Sequence, residues 1–232
     1  MKTITTALAA TLLLSGVILA QRPPEVPAEL QALRADMFGA LTGDWERFER
    51  GMKTLEGMLA KNPKDPALKV MWGSGLFARS GEAFRKGDMG NAMKLWQSGL
   101  AEMGQAVEMA PENILVRARR GVILISASRD TPPEMARPLL ESAVSDFEKV
   151  LEIRERENTF SQNSTHKRGE LLTSLADGWN RMGNPEKARG YFERITKDLK
   201  GTAYEERAKA WLEGKPESKD AAFFVCSGCH VE

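Results

Sequence analysis

The sequence predicts an all-α protein built as a string of helical hairpins. Three observations carry that expectation. Apolar residues recur at helical spacing nearly throughout, and an alternating strand pattern is almost absent. Gly, Asn and Pro interrupt the rhythm about once per helix length. The interruptions are of two kinds, tight turns and longer connectors, as expected where helices fold back in pairs. The 232 residues suffice to bury a sizeable core, as one domain or one elongated array.

The first element is not part of that core. Met1-Lys2-Thr3 is a short basic segment, and Ile4 to Ala20 is an uncharged apolar run ending Val17-Ile18-Leu19-Ala20. This is the pattern of a secretory signal cut after Ala20. No Cys follows the run, which sets aside a lipoprotein signal. An uncleaved anchor is the competing reading. The run is at the short end for a spanning helix, and Gln21-Arg22-Pro23-Pro24 ends it abruptly. Residues 1–20 are therefore read as a signal peptide. The mature protein is expected in the periplasm, with no membrane span once the signal is removed.

Helices are expected over 27–41, 44–61, 66–86, 88–109, 113–128, 134–155, 167–182, 185–199 and 203–213. Thr42-Gly43-Asp44, Lys86-Gly87-Asp88 and Met182-Gly183-Asn184-Pro185 are tight turns between partners of a hairpin. Lys61-Asn62-Pro63-Lys64-Asp65-Pro66, Met109-Ala110-Pro111-Glu112-Asn113 and Asp130-Thr131-Pro132-Pro133 are the longer breaks. Thr202 to Leu212 would be an unpaired end cap, of the kind a stacked array needs for solubility. Glu213 to Asp220 is a polar linker, and Ala221-Ala222-Phe223-Phe224-Val225 leads to the C-terminus.

One hairpin carries a more specific pattern. Leu172, Leu175, Ala176 and Trp179 share a helix face; Gly183-Asn184-Pro185 turns the chain; Ala188, Phe192 and Ile195 follow on the second helix. This resembles the tetratricopeptide repeat, with its small residues where helices approach and its aromatics in the seam. Weaker versions surround Gly43, Met52 and Leu55, and Gly87, Ala92, Trp96 and Ala106. The resemblance implies a solenoid of helical hairpins over residues 21–213, with residues 214–232 as linker and tail.

Charge excludes some partners. Cleavage removes one base, Lys2, and no acid, so the formal charge falls from +1 to zero. Zero net charge gives no support for nucleic-acid binding. Runs such as Glu152-Ile153-Arg154-Glu155-Arg156-Glu157 are solvated helix faces.

The chemistry sits in the last seven residues, Cys226-Ser227-Gly228-Cys229-His230-Val231-Glu232. They hold both cysteines of the chain and one of its two histidines, in the order C-x-x-C-H, the c-type haem attachment signature. Cys226 and Cys229 would form thioethers to the haem vinyl groups, and His230 would be an axial iron ligand. Small Ser227 and Gly228 let the loop lie against the macrocycle. A bare dithiol or disulfide competes, but a thioredoxin-like site follows a strand, and no strand is expected here. Zinc competes too, but it wants four ligands, and the adjacent Cys229 and His230 cannot easily share a metal with Cys226. A coincidental tail is the remaining alternative.

Only Val231 and Glu232 follow the motif, whereas ordinary small cytochromes c carry it near the N-terminus. The cytochrome c′ type carries it on the last helix of a four-helix bundle, but repeat-like hairpins and a polar linker do not resemble one closed bundle. The haem is expected on a short tether, 14 residues from Leu212 to Cys226 and reaching at most about 48 Å. Phe223, Phe224 and Trp211 are the nearest apolar residues that could cover the ring, with cap packing the competing role for Trp211. A sixth iron ligand is open. His166, in the polar connector Ser161 to Lys167, is one candidate, and Met182 another. The other methionines fall at helical spacing and read as core.

Two functions fit. One is an exported monohaem c-type cytochrome, in which the helical scaffold docks a redox protein partner. The other is a periplasmic interaction scaffold whose haem is structural or sensory. An enzyme such as a peroxidase finds no direct support: no Ser/His/Asp arrangement, second metal cluster or phosphate loop is legible, and two histidines leave few acid–base options.

Overall fold

A computed structural model describes residues 28–215. The signal segment and the tail with Cys226, Cys229 and His230 lie outside the described residues. Of these, 82% are helical, and no strand occurs among them. The helices are α1 (Ala28–Met37), α2 (Gly39–Thr42), α3 (Trp45–Lys61), α4 (Pro66–Arg85), α5 (Met89–Met109), α6 (Ile114–Ala127), α7 (Pro133–Arg156), α8 (Thr165–Arg181), α9 (Pro185–Asp198) and α10 (Ala203–Leu212). A single 3-10 turn, Phe160–Gln162, sits between α7 and α8.

The turns follow from their residues. Gly87 and Gly183 take φ of 78° and 80°, open to Gly without a Cβ penalty. The next backbone N–H reaches back to the helix just ended, from Asp88 to the Ala83 carbonyl at 3.0 Å and from Asn184 to the Trp179 carbonyl at 2.9 Å. The same side chain then caps the next helix. The Asp88 carboxylate accepts from the Asn91 N–H at 3.3 Å, and the Asn184 side chain accepts from the Lys187 N–H at 3.1 Å. A Gly-Asx pair therefore closes one helix and opens its successor. The longer connectors use a cap alone. Asp65 accepts from Ala67 and Leu68, and Asn113 from Leu115 and Val116.

Helices near one another in the chain pack in pairs: α1 with α3 across the short α2, α4 with α5, α6 with α7, and α8 with α9. Contacts of α3 with α4, α4 with α6, and α7 with α8 join the pairs, and α10 lies on α9. The α4–α5 pair is the tightest by one local criterion. A Cβ on Gly73 would stand 2.8 Å from the Gly99 carbonyl oxygen, and one on Gly99 would stand 2.8 Å from that of Gly73. The backbones touch there, so only glycine fits on either side.

Two apolar clusters hold the described residues together. One gathers Leu33, Phe48, Met52, Leu55, Leu68 and Met71 from α1, α3 and α4. The larger runs from Val70 to Ala208. In it Ala176 and Ala188 are fully buried and Phe192 nearly so, as expected from the sequence. Trp179 is not. Its ring is only partly buried, its Nε1 donates to Glu148 at 3.0 Å, and the Lys187 ammonium lies 3.6 Å from the ring centre.

Two elements differ from expectation. The helix expected over 27–41 breaks at Phe38, where the Leu41 N–H donates to the Phe38 carbonyl, three residues back, at 3.0 Å. Gly39 is what the tighter turn accommodates: a Cβ there would stand 2.4 Å from the Asp44 carbonyl oxygen. The connector before α8 is shorter than expected, because the Ser164 hydroxyl caps the helix on the Lys167 N–H and helix begins at Thr165.

Candidate functional site

Of the residues singled out in the sequence, His166, Met182 and Trp211 fall among the described residues. His166 stands in the first turn of α8, with its side chain 41% exposed. Its Nδ1 lies 2.9 Å from the Tyr204 hydroxyl, in the first turn of α10. Tyr204 donates its one proton to Glu170 Oε1 at 2.6 Å. With that proton directed at Glu170, the hydroxyl accepts from His166 Nδ1–H. A histidine oriented through Nδ1–H is the arrangement that metal-ligating imidazoles use. No sequence signal pointed to Tyr204 as the partner, since 38 residues separate it from His166.

Met182 packs against the large cluster and lines an open depression beside Trp179, Glu148 and Arg137. It ends α8 and has a helix-cap role. Trp211 stacks on Phe192, ring centres 4.3 Å apart and planes 26° from parallel. It is a packed residue of the end helix.

The sequence reading missed two buried carboxylates. Asp146 of α7 has no exposed surface and meets two guanidiniums of α6, Arg117 at 2.8 Å and Arg120 at 2.6 Å. Asp177 of α8 meets Arg129 at 2.8 Å and Arg181 at 3.5 Å, and Arg181 also donates to the Ser128 carbonyl. Burial pushes both carboxyls upward, and the guanidiniums pull against it. The available signal was an acid on an apolar stripe: Asp146 falls three residues after Ala143, one before Phe147 and four before Val150. Each carboxylate is hydrogen-bonded by its arginines, so these clusters tie α6 to α7, and the turn after α6 to α8, and have no spare chemistry.

Among the described residues no group of three or more His, Cys, Asp or Glu converges as a metal site, and no helix is long and apolar enough to cross a membrane. No protein-family model and no curated protein matches this chain.

Proposed function

We propose that this protein is an exported monohaem c-type cytochrome that transfers electrons, its helical hairpins forming a tetratricopeptide-like solenoid on which a redox protein docks. The observation that carries the reading is the C-x-x-C-H run of Cys226, Cys229 and His230. The signal-like segment 1–20 agrees with it, because covalent haem attachment in bacteria takes place outside the cytoplasmic membrane. The donor set fits the group: two thiols for thioethers and one imidazole for iron. When bound, a haem supplies one-electron redox chemistry.

His166 is the candidate sixth ligand among the described residues. Its Nδ1–H contact with Tyr204 orients the ring. Tyr204 opens α10, a helix about 15 Å long whose far end continues toward the tail. From Lys215 to Cys226 the chain spans at most about 40 Å, so the motif can reach back over that length. His166→Ala should change the axial-ligand spectrum of the reduced protein; an unchanged spectrum removes His166 from the role.

The test of the main reading is a reduced pyridine haemochrome spectrum on denatured protein from a host with a haem c maturation system. A c-type α band at one haem per chain, absent from the Cys226→Ala, Cys229→Ala double variant, is the expected result. No covalent haem in the wild type sinks the reading. The second reading, an interaction scaffold with a structural or sensory haem, is favoured by the repeat-like hairpins, since such arrays present extended binding surfaces. It expects partner binding to survive loss of both cysteines.

A further inference from the structure

The α1–α2 segment, α3, α4 and α6 line a half-open cavity of about 150 Å³. Its walls are mostly apolar, with Val122 and Ile123 of α6 on one side and Phe38 and Leu41 on the other. Phe38 and Leu41 are among the few large apolar side chains left exposed among the described residues, Leu41 at 64%. Two arginines, Arg34 of α1 and Arg119 of α6, reach into this apolar space.

The arginines are unlike others nearby. Arg117, Arg120, Arg129 and Arg181 all face carboxylates. The acid closest in sequence to Arg34, Asp36, is engaged by Arg47 and Arg50. Among the described residues neither Arg34 nor Arg119 has an acceptor for its guanidinium. Burial holds Arg119 below the usual arginine range, and the positive charge of Arg34 lowers it further. A partly buried cation with no carboxylate partner among the described residues is held at a cost, and a second cation beside it adds to that cost. A bound anion removes both costs at once.

We propose that this cavity binds a small carboxylate with an apolar body, a short-chain aliphatic or aryl acid. The carboxylate lies between Arg34 and Arg119, and the carbon body fills the space beside Val122 and Ile123. The size agrees: an apolar cavity of about 150 Å³ holds benzene. The site is independent of the haem and of the proposed function.

The test is calorimetric titration of the mature chain with hexanoate and benzoate, and with hexanol as the uncharged control of equal length. Hexanoate should bind at least roughly tenfold more tightly than hexanol, because a charge-assisted pair forms only with the acid. Arg119→Gln should bring hexanoate to the level of hexanol, with the helical circular dichroism signal unchanged. Arg34→Gln serves the same purpose should Arg119→Gln fail to fold. Ile123→Trp, which fills the cavity, should abolish binding of acid and alcohol alike. The proposal is overturned by equal affinity for hexanoate and hexanol in the wild type, by hexanoate affinity unchanged when either arginine is neutralised, or by no saturable binding of either acid.

Discussion

Tyr191 shows how a single side chain reports on its neighbours. Its hydroxyl lies 3.4 Å from Glu148 Oε1, the carboxylate that also accepts from Trp179. Burial first, and the Glu148 charge second, push the phenol from 10.0 up to about 12. The folded state therefore holds this proton more tightly than the unfolded chain does. The resulting stability is fully present below pH 10 and is lost as pH rises toward about 12. The chain has two tyrosines. An alkaline titration of phenolate absorbance should show a late component that Tyr191→Phe removes. Ionisation of all phenolate around pH 10 in the folded wild type refutes this account. Such pairings were not legible in the sequence: Tyr191 and Glu148 are 43 positions apart. Asp146 was half legible. An acid on an apolar stripe signals a buried charge, but its counterions depend on which face of α6 turns toward α7.

Helices and turns were the most legible scale, because their causes are local. The Gly-Asx turns at Gly87 and Gly183 need one residue free to take positive φ and one able to cap, and both are adjacent in the sequence. The early start of α8 has a local cause, its Ser164 cap, but the break in the first helix has a cause further along the chain. The break at Phe38 accompanies Gly39 packed on the start of α3. The α4–α5 crossing makes the same point. Gly73 and Gly99 read as weak spots in good helices, yet each excludes a side chain because the partner backbone occupies its place. Gly99→Ala should cost about 1–3 kcal/mol, since a Cβ would meet backbone atoms of Gly73 and Phe77 that cannot easily give way. Gly81→Ala, in the exposed interior of α4 with nothing within 4 Å, should stabilise by about 0.5–1 kcal/mol. Urea melts of the two variants decide the matter; equal effects of one sign would rule out the backbone-contact explanation.

At the scale of the molecule, two apolar clusters form within residues 28–215. We therefore expect the helical body to fold without the haem. His230→Ala should abolish a low-spin haem spectrum while leaving far-UV circular dichroism and its melting transition in place. Collapse of the helical signal would make the haem part of the core and revive the closed-bundle reading. The all-helical class, most element boundaries and the C-x-x-C-H run could be read from the chain alone. Periodicity, caps and a contiguous motif each depend on residues a few positions apart. Which helices touch, where Asp146 and Asp177 find their arginines, how Tyr204 orients His166, and the bringing together of Arg34 and Arg119, 85 positions apart, around one cavity came from packing. These are meetings of side chains distant along the chain, and only the burial of apolar faces against one another sets them.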